Sequence, residues 1–227
     1  MKTSVLANPT IFLVRHGQTE MNKGAQKEFR GWLDPKLDAT GIKQANEAGD
    51  KVAQFPIAHI YAGDLTRTQQ TAHAIAQKTG AAVTTTPTLR PWQYGEFTGM
   101  PINDDSLAAL KHFQDNPDMK VPKGESYSDF IGRYSKPVQA ARQYVEQNPT
   151  QALVLVTHSR NLYPLRTMLG ENVEPPIKET PSKETGMPGP ESTGSVWAVE
   201  FLPTGQHQIS EVKARSTKLE APLGPQP

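Results

Sequence analysis

The chain of 227 residues is long enough for one large domain or two small ones. Apolar residues make up 36% and charged residues 21%, and a formal net charge of +1 gives no reason to expect binding to nucleic acid or to an anionic membrane. The absence of cysteine excludes disulfides, thiolate metal sites and a cysteine nucleophile. No stretch approaches the roughly 20 apolar residues of a membrane span, and residues 1–9 lack the apolar run of a signal peptide. We therefore expect a soluble, cytoplasmic protein.

The first half of the chain alternates short apolar runs with helical patterns. In chain order we predict a strand at 11–14, a helix at 40–55, a strand at 57–61, a helix at 65–78, a strand at 82–85 and a helix at 104–114. Thr40 can cap the first helix, which Pro56 ends, and Gly80 lies where the C-cap of the second helix falls. The apolar stripe of the first helix is formed by Ile42, Ala45, Gly49, Val52 and Phe55.

The second half continues the alternation and ends in a predicted hairpin. We predict helices at 126–147 and 161–169, a strand at 152–157, a loop at 171–192 and two strands at 195–201 and 208–212 joined by a turn at 203–206. Pro137 should kink or divide the long helix. The strand at 152–157 is apolar throughout, as expected for a central strand covered on both faces.

Strands that alternate with helices predict an α/β fold, a three-layer α/β/α sandwich with a mostly parallel central sheet. We assign residues 1–219 to a single domain and residues 220–227 to a disordered tail. In such sheets the ligand lies beyond the carboxyl ends of the strands. That rule points to the loops that follow Val14 and Val156.

Both of those loops carry a histidine directly after a buried strand. The first reads Arg15-His16-Gly17 and the second reads Thr157-His158-Ser159. A single histidine is usually structural or exposed, but two at matching strand ends can face one another across a site. The pattern indicates catalysis with a pair of imidazoles.

Four ordered motifs strengthen that interpretation. They are Leu13-Val14-Arg15-His16-Gly17-Gln18-Thr19-Glu20-Met21-Asn22, Asp64-Leu65-Thr66-Arg67-Thr68-Gln69-Gln70-Thr71-Ala72, Gly124-Glu125-Ser126 and Val154-Leu155-Val156-Thr157-His158-Ser159. Together they resemble the signatures of the histidine phosphatase superfamily, also called the phosphoglycerate mutase-like family, over roughly residues 11 to 160. The resemblance implies a phosphoglycerate mutase-like fold and a small phosphorylated substrate.

By this resemblance His16 is the nucleophile and forms a phosphohistidine. It must be neutral to attack, and Arg15 and Arg67 oppose its protonation. Arg15, Arg67 and His158 would hold the negative charge of the transferred phosphoryl group, so we expect no metal and no cofactor. The resemblance also places Asn22, Gln18, Arg30, Gly31 and the backbone N–H of Ser159 on the phosphate or near the entrance of the site. Alternative interpretations remain, because Asn22 can instead cap a turn and Arg67 or Arg30 can be surface arginines.

The family usually places a glutamate where this chain has Pro91, and that glutamate protonates the leaving group. Glu96 is the nearest carboxylate in the sequence, and Glu125 is a weaker candidate because it can instead favour a helix dipole. General acid catalysis typically contributes roughly 10²–10⁴ in rate. We therefore expect a phosphatase that prefers aryl phosphates, acyl phosphates or anhydrides, whose leaving groups need no proton.

The sequence is compatible with two other functions. A phosphoglycerate mutase needs extra cationic contacts for a carboxylate, and residues 101–122 offer only Lys111 and Lys120. A phospholigand-binding protein without turnover would be compatible with Pro91. The sequence leaves the natural substrate and the oligomeric state open.

Overall fold

The computed structural model describes residues 4–22, 27–161 and 193–213. The strands in these ranges are β1 (Thr10–Arg15), β2 (Ile57–Gly63), β3 (Ala82–Thr86), β4 (Ala152–Thr157), β5 (Val196–Phe201) and β6 (His207–Glu211). The helices are α1 (Ala39–Val52), α2 (Thr66–Thr79), α3 (Asp104–Asp115) and α4 (Tyr127–Gln147). Within the described residues, no helix has the length and apolar character needed to cross a bilayer.

The described strands form one sheet of six, in the order β3-β2-β4-β1-β5-β6. The first four strands in that order run parallel, while β5 pairs antiparallel with β1 and β6 pairs antiparallel with β5. The predicted α/β class with a mostly parallel sheet is confirmed. The register between β1 and β4 pairs Arg15 with Thr157, so the residues that follow these two strands emerge side by side.

Alternate side chains of β1 pack into two hydrophobic clusters, one on each face of the sheet. Ile11 and Leu13 pack with the buried face of α4, whereas Phe12 and Val14 pack with α1 and α2. Every residue of β1 and of β4 is buried, because helices cover both faces of the sheet at its centre. The carboxyl ends of these two strands therefore extend from a fully buried part of the described sheet.

Helix α1 differs from the sequence prediction at both ends. Its N-cap is Asp38, whose carboxylate accepts the N–H of Gly41 at 2.7 Å, while Thr40 lies inside the helix and is exposed. The helix ends at Val52, and Ile42, placed in the apolar stripe by its spacing, is 51% exposed. Spacing alone predicted the helix but not its cap, because the cap depends on which side chain reaches the free N–H groups.

Helix α4 runs as one helix through Pro137 and is not divided there. Buried residues on both sides of the proline, such as Tyr134 and Val138, pack in the same core and offset the lost hydrogen bond. Strand β4 and the hairpin of β5 and β6 lie where they were predicted. The predicted helix beyond Asn161, the loop at 171–192 and the tail at 220–227 lie outside the described residues.

Candidate active site

Two imidazoles meet at the carboxyl edge of the sheet. His16 follows β1 and donates its backbone N–H to the carbonyl oxygen of Thr157 at 3.1 Å, which carries the sheet register past the last strand residue. The ring centroids of His16 and His158 lie 5.1 Å apart with an interplanar angle of 63°. Both side chains are buried. At this separation one tetrahedral anion can contact both rings.

The tautomer of His16 is fixed by its own loop. Its Nδ1 lies 2.8 Å from the carbonyl oxygen of Gly17, which can only accept, so Nδ1 carries the proton of the neutral ring. Burial, followed by the positive charges of Arg67 and Arg15, holds the pKa of His16 well below its ordinary value. The ring is therefore neutral at pH 7, with the lone pair on Nε2. That is the form of an imidazole that attacks phosphorus.

His158 has a different environment. Burial, followed by the positive charge of Arg67, holds the pKa of His158 well below its ordinary value. Its backbone carbonyl accepts the N–H of Asn161 at 3.1 Å, and the Asn161 amide donates to the Thr157 hydroxyl at 3.0 Å. Its Nε2 is buried and has no hydrogen-bond partner among the described residues.

Arg67 stands in the first turn of α2 and is buried. Its guanidinium donates to the carbonyl oxygens of Leu33 at 2.6 Å and Gly31 at 3.2 Å, which fixes the plane of the group. Burial and the neighbouring charge of Arg30 lower its pKa to about 10, so the group stays cationic at pH 7. Arg15 reaches the same place from the end of β1.

These groups line one pocket that opens to solvent. Its walls are formed by Arg15, His16, Glu28, Phe29, Arg30, Gly31, Arg67, Pro91, Tyr94, Ile102, His158 and Ser159. Three guanidinium groups and one carboxylate give the described walls a net positive charge. The pocket therefore suits a small anion, and planar guanidinium groups match the oxygens of a phosphate.

The family comparison agrees with this chemistry. A family model described as the histidine phosphatase superfamily (branch 1) matches residues 11–180. The chain belongs to the histidine phosphatase superfamily. The matched range contains both histidines, Arg15 and Arg67.

Curated relatives in this superfamily carry a mutase name. The "Probable phosphoglycerate mutase GpmB" of Proteus mirabilis (strain HI4320) is 36% identical over 156 residues, which is 67% of this chain and 66% of the relative. The protein of the same name from Yersinia enterocolitica is 35% identical over 127 residues, which is 54% of this chain and 58% of that relative. The chain thus matches less than two thirds of the length of these relatives.

Solved structures in the superfamily share the fold. A mycobacterial glucosyl-3-phosphoglycerate phosphatase solved with VO3 has a TM-score of 0.68 and 23% identity, over 92% of this chain and 100% of that chain. Phosphoglycerate mutase from Bacillus anthracis str. Sterne has a TM-score of 0.67 and 17% identity, over 93% of this chain and 94% of that chain. The same fold therefore occurs in structures described as a phosphatase and as a mutase.

The structure brings seven of the predicted site residues together. They are Arg15, His16, Arg30, Gly31, Arg67, His158 and Ser159, all in the pocket wall. Arg30 also donates to the carbonyl oxygen of Met21 at 3.1 Å. These seven residues are thus close in space, and their binding and catalytic roles stay predictions.

Three predicted residues do not line the pocket. The Asn22 side chain accepts from the N–H and the hydroxyl of Thr19 at 2.9 and 2.8 Å, which is the turn-capping alternative. The Gln18 side-chain amide donates to the carboxylate of Asp38, the N-cap of α1, at 3.0 Å. The Glu96 carboxylate is about half exposed and pairs with Lys123 at 3.1 Å. Each of these side chains is engaged elsewhere.

The wall at Pro91 is held from behind. The Pro91 carbonyl oxygen accepts from the Trp32 indole at 2.9 Å and from Arg133 at 2.8 Å. Arg133 in turn forms an ion pair with Glu125 at 2.6 Å. The carboxylate of Glu125 therefore binds Arg133 and does not line the pocket. Arg133 also donates to the carbonyl oxygen of Arg90 at 2.9 Å. We call Trp32, Glu125 and Arg133 the Pro91 support.

Sequence reasoning missed four pocket residues: Glu28, Phe29, Tyr94 and Ile102. One signal for Glu28 was present, since it stands two residues before Arg30 and side chains two apart on an extended chain face the same way. No comparable signal marks Tyr94 or Ile102, which reach the pocket from loops. Among the described residues, no cluster of three His, Asp or Glu side chains is placed to hold a metal ion.

Proposed function

We propose that this chain is a phosphatase that hydrolyses small phosphate esters through a phosphohistidine on His16. The observation that carries the proposal is the pair of buried imidazoles of His16 and His158, whose ring centroids lie 5.1 Å apart in a pocket lined by arginines, with the His16 Nδ1 bonded to the Gly17 carbonyl oxygen. The Nε2 lone pair attacks phosphorus, the N–P bond forms and the bond from phosphorus to the ester oxygen breaks. Water then attacks the phosphohistidine, the N–P bond breaks, and phosphate leaves.

The cationic groups act on the charge that develops during both steps. Phosphoryl transfer spreads negative charge over three equatorial oxygens, and preorganised donors stabilise it. Arg67 is held by two carbonyl oxygens before substrate arrives, so it needs little reorganisation. Arg15, His158 and the backbone N–H of Ser159 complete the proposed anion site. We expect no metal in this reaction. Cytoplasmic location and the single domain at 1–219 stay predictions.

A trapping experiment tests the proposal. Rapid quench of the enzyme with ³²P-labelled substrate should give an acid-labile phosphoprotein in the wild type and none in His16→Ala. His112→Ala is the matched control, because that histidine is exposed on α3, away from the pocket. A label that persists in His16→Ala, or that survives acid, contradicts the proposal. Absence of label together with phosphate binding in the wild type would favour a phospholigand-binding protein.

The names of the curated relatives favour phosphoglycerate mutase as the second candidate. Lys111 and Lys120 do not line the pocket; they pair with Asp115 at 2.5 Å and Asp129 at 3.6 Å. Among the described pocket residues, Arg30 is the cation that is left to bind a substrate carboxylate once Arg15 and Arg67 bind the phosphate. Transfer of the trapped phosphate to added phosphoglycerate instead of water would identify a mutase.

A further inference from the structure

We propose that the carboxyl group of Glu28 protonates the leaving oxygen, so that the pocket hydrolyses phosphate esters of ordinary, unactivated alcohols. This inference rests on the phosphatase function proposed above and adds the substrate class to it. It replaces the preference for activated leaving groups that Pro91 suggested.

The backbone holds Glu28 in the pocket wall. Glu28 forms an isolated β-bridge with Pro101. On either side of that bridge, the N–H of Phe29 donates to the Met100 carbonyl at 3.0 Å, and the N–H of Ile102 donates to the Lys27 carbonyl at 2.7 Å. These bonds fix the backbone position from which the half-buried Glu28 side chain extends. Glu28 lines the same pocket as His16 and His158.

Glu28 is the one acidic side chain among the described pocket residues. Glu96 pairs with Lys123 outside the pocket, and Glu125 belongs to the Pro91 support. Within the described ranges, no ion pair or hydrogen bond engages the Glu28 carboxylate. Its carboxyl group is therefore available to a bound ester.

The proton balance closes with Glu28 alone. As the bond from phosphorus to the ester oxygen breaks, the Glu28 carboxyl gives its proton to that oxygen, and a neutral alcohol leaves. The carboxylate then takes a proton from the water that attacks the phosphohistidine, which restores the acid. The sum is ester plus water giving alcohol plus phosphate, with no further reactant.

The test uses Glu28→Gln, which keeps the shape and removes the proton, on esters that differ in their leaving groups. We expect kcat for glycerol phosphate to fall about 10²-fold or more, while kcat for p-nitrophenyl phosphate changes less than about 3-fold. Glu28→Asp should recover part of the lost rate. Glu96→Gln is the matched control, and it should leave both rates unchanged.

Several results would overturn the inference. An equal loss on both substrates, a change confined to KM, or no change at all would show that Glu28 does not serve the leaving group. A loss that depends on the leaving group in Tyr94→Phe but not in Glu28→Gln would assign the proton to the phenol. The phosphohistidine trap, run on Glu28→Gln with p-nitrophenyl phosphate, separates this inference from the proposed function, since label on His16 upholds that function whatever Glu28 does.

Discussion

At His16, one set of charges has two effects. The guanidinium groups that would bind the phosphate also lower the pKa of the imidazole, after burial, which is the largest cause. The carbonyl oxygen of Gly17 then selects which nitrogen keeps the proton. A nucleophile that stays neutral beside cations needs no separate base to activate it at pH 7.

The pKa of His16 is open to direct measurement. In NMR titrations of the ring, we expect a pKa below the ordinary histidine value of about 6.5. Arg67→Gln should raise it, because the Arg67 charge is the second-largest cause of the shift. A wild-type value at or above 6.5, or no response to Arg67→Gln, would contradict this electrostatic account.

Arg67 should not tolerate lysine. A lysine keeps the charge but loses the planar fork that donates to the Leu33 and Gly31 carbonyls. We expect kcat of Arg67→Lys to fall about 10²-fold, as for loss of a transition-state donor. Steady-state kinetics measure this, and Lys78→Arg at the far end of α2 is a control expected to stay near wild type. Wild-type kcat in Arg67→Lys would remove the guanidinium from the proposed mechanism.

At the start of helix α1, Asp38 and Thr40 can be compared as possible N-cap residues. Asp38 caps the helix through Gly41, whereas Thr40 has no such role. We expect Asp38→Ala to lower the free energy of unfolding by about 1 kcal/mol and Thr40→Ala by less than about 0.5 kcal/mol. Denaturant unfolding of both variants measures the difference. The opposite order would restore Thr40 as the cap.

The Pro91 support links α4 to the pocket wall. Lysine at position 133 cannot keep both the pair with Glu125 and the bonds to the Pro91 and Arg90 carbonyls. We expect Arg133→Lys to cost about 2 kcal/mol of unfolding free energy and to raise KM. Arg142→Lys lies on the same helix, in an exposed pair with Glu146, and should change neither quantity by much. Equal effects of the two substitutions would argue against a special role for the support.

The strand-end residues were predictable from sequence because a short-range signal determines them. An apolar strand followed by Arg-His or Thr-His fixes where those side chains emerge, whatever the loops do. Glu96 and Glu125 show the limit, since only the packed structure reveals that Lys123 and Arg133 engage them. Tyr94 and Ile102 enter the pocket through long-range packing, which no local pattern encodes.

Over the whole molecule, two buried neutral histidines make stability depend on pH. Below a pH of about 6.5 the unfolded chain binds protons that the buried rings of His16 and His158 do not. Their contribution to stability is therefore fully present above that pH and is lost as the pH falls, by at most about 1.4 kcal/mol per pH unit for each ring.

Denaturant unfolding at pH 5 and pH 7.5 tests this dependence. The wild type should lose more free energy of unfolding on acidification than the double variant His16→Gln/His158→Gln. The comparison cancels the titration of other groups, which the two proteins share. Equal pH dependence in both proteins would mean that the rings titrate normally.

Neighbouring strands β1 and β4 set the separation of the two imidazoles through the sheet's own hydrogen-bond lattice. The sheet fixes this distance, whereas Glu28, Pro91 and Ile102 line the pocket from connecting segments, which in general tolerate sequence change better than buried strands. The connecting segments can therefore change the shape of the pocket without changing the distance between the imidazoles. For the proposed phosphatase, a library that randomises positions 91 and 102 and keeps Glu28 should yield enzymes with new esters as substrates and an unaltered phosphohistidine step.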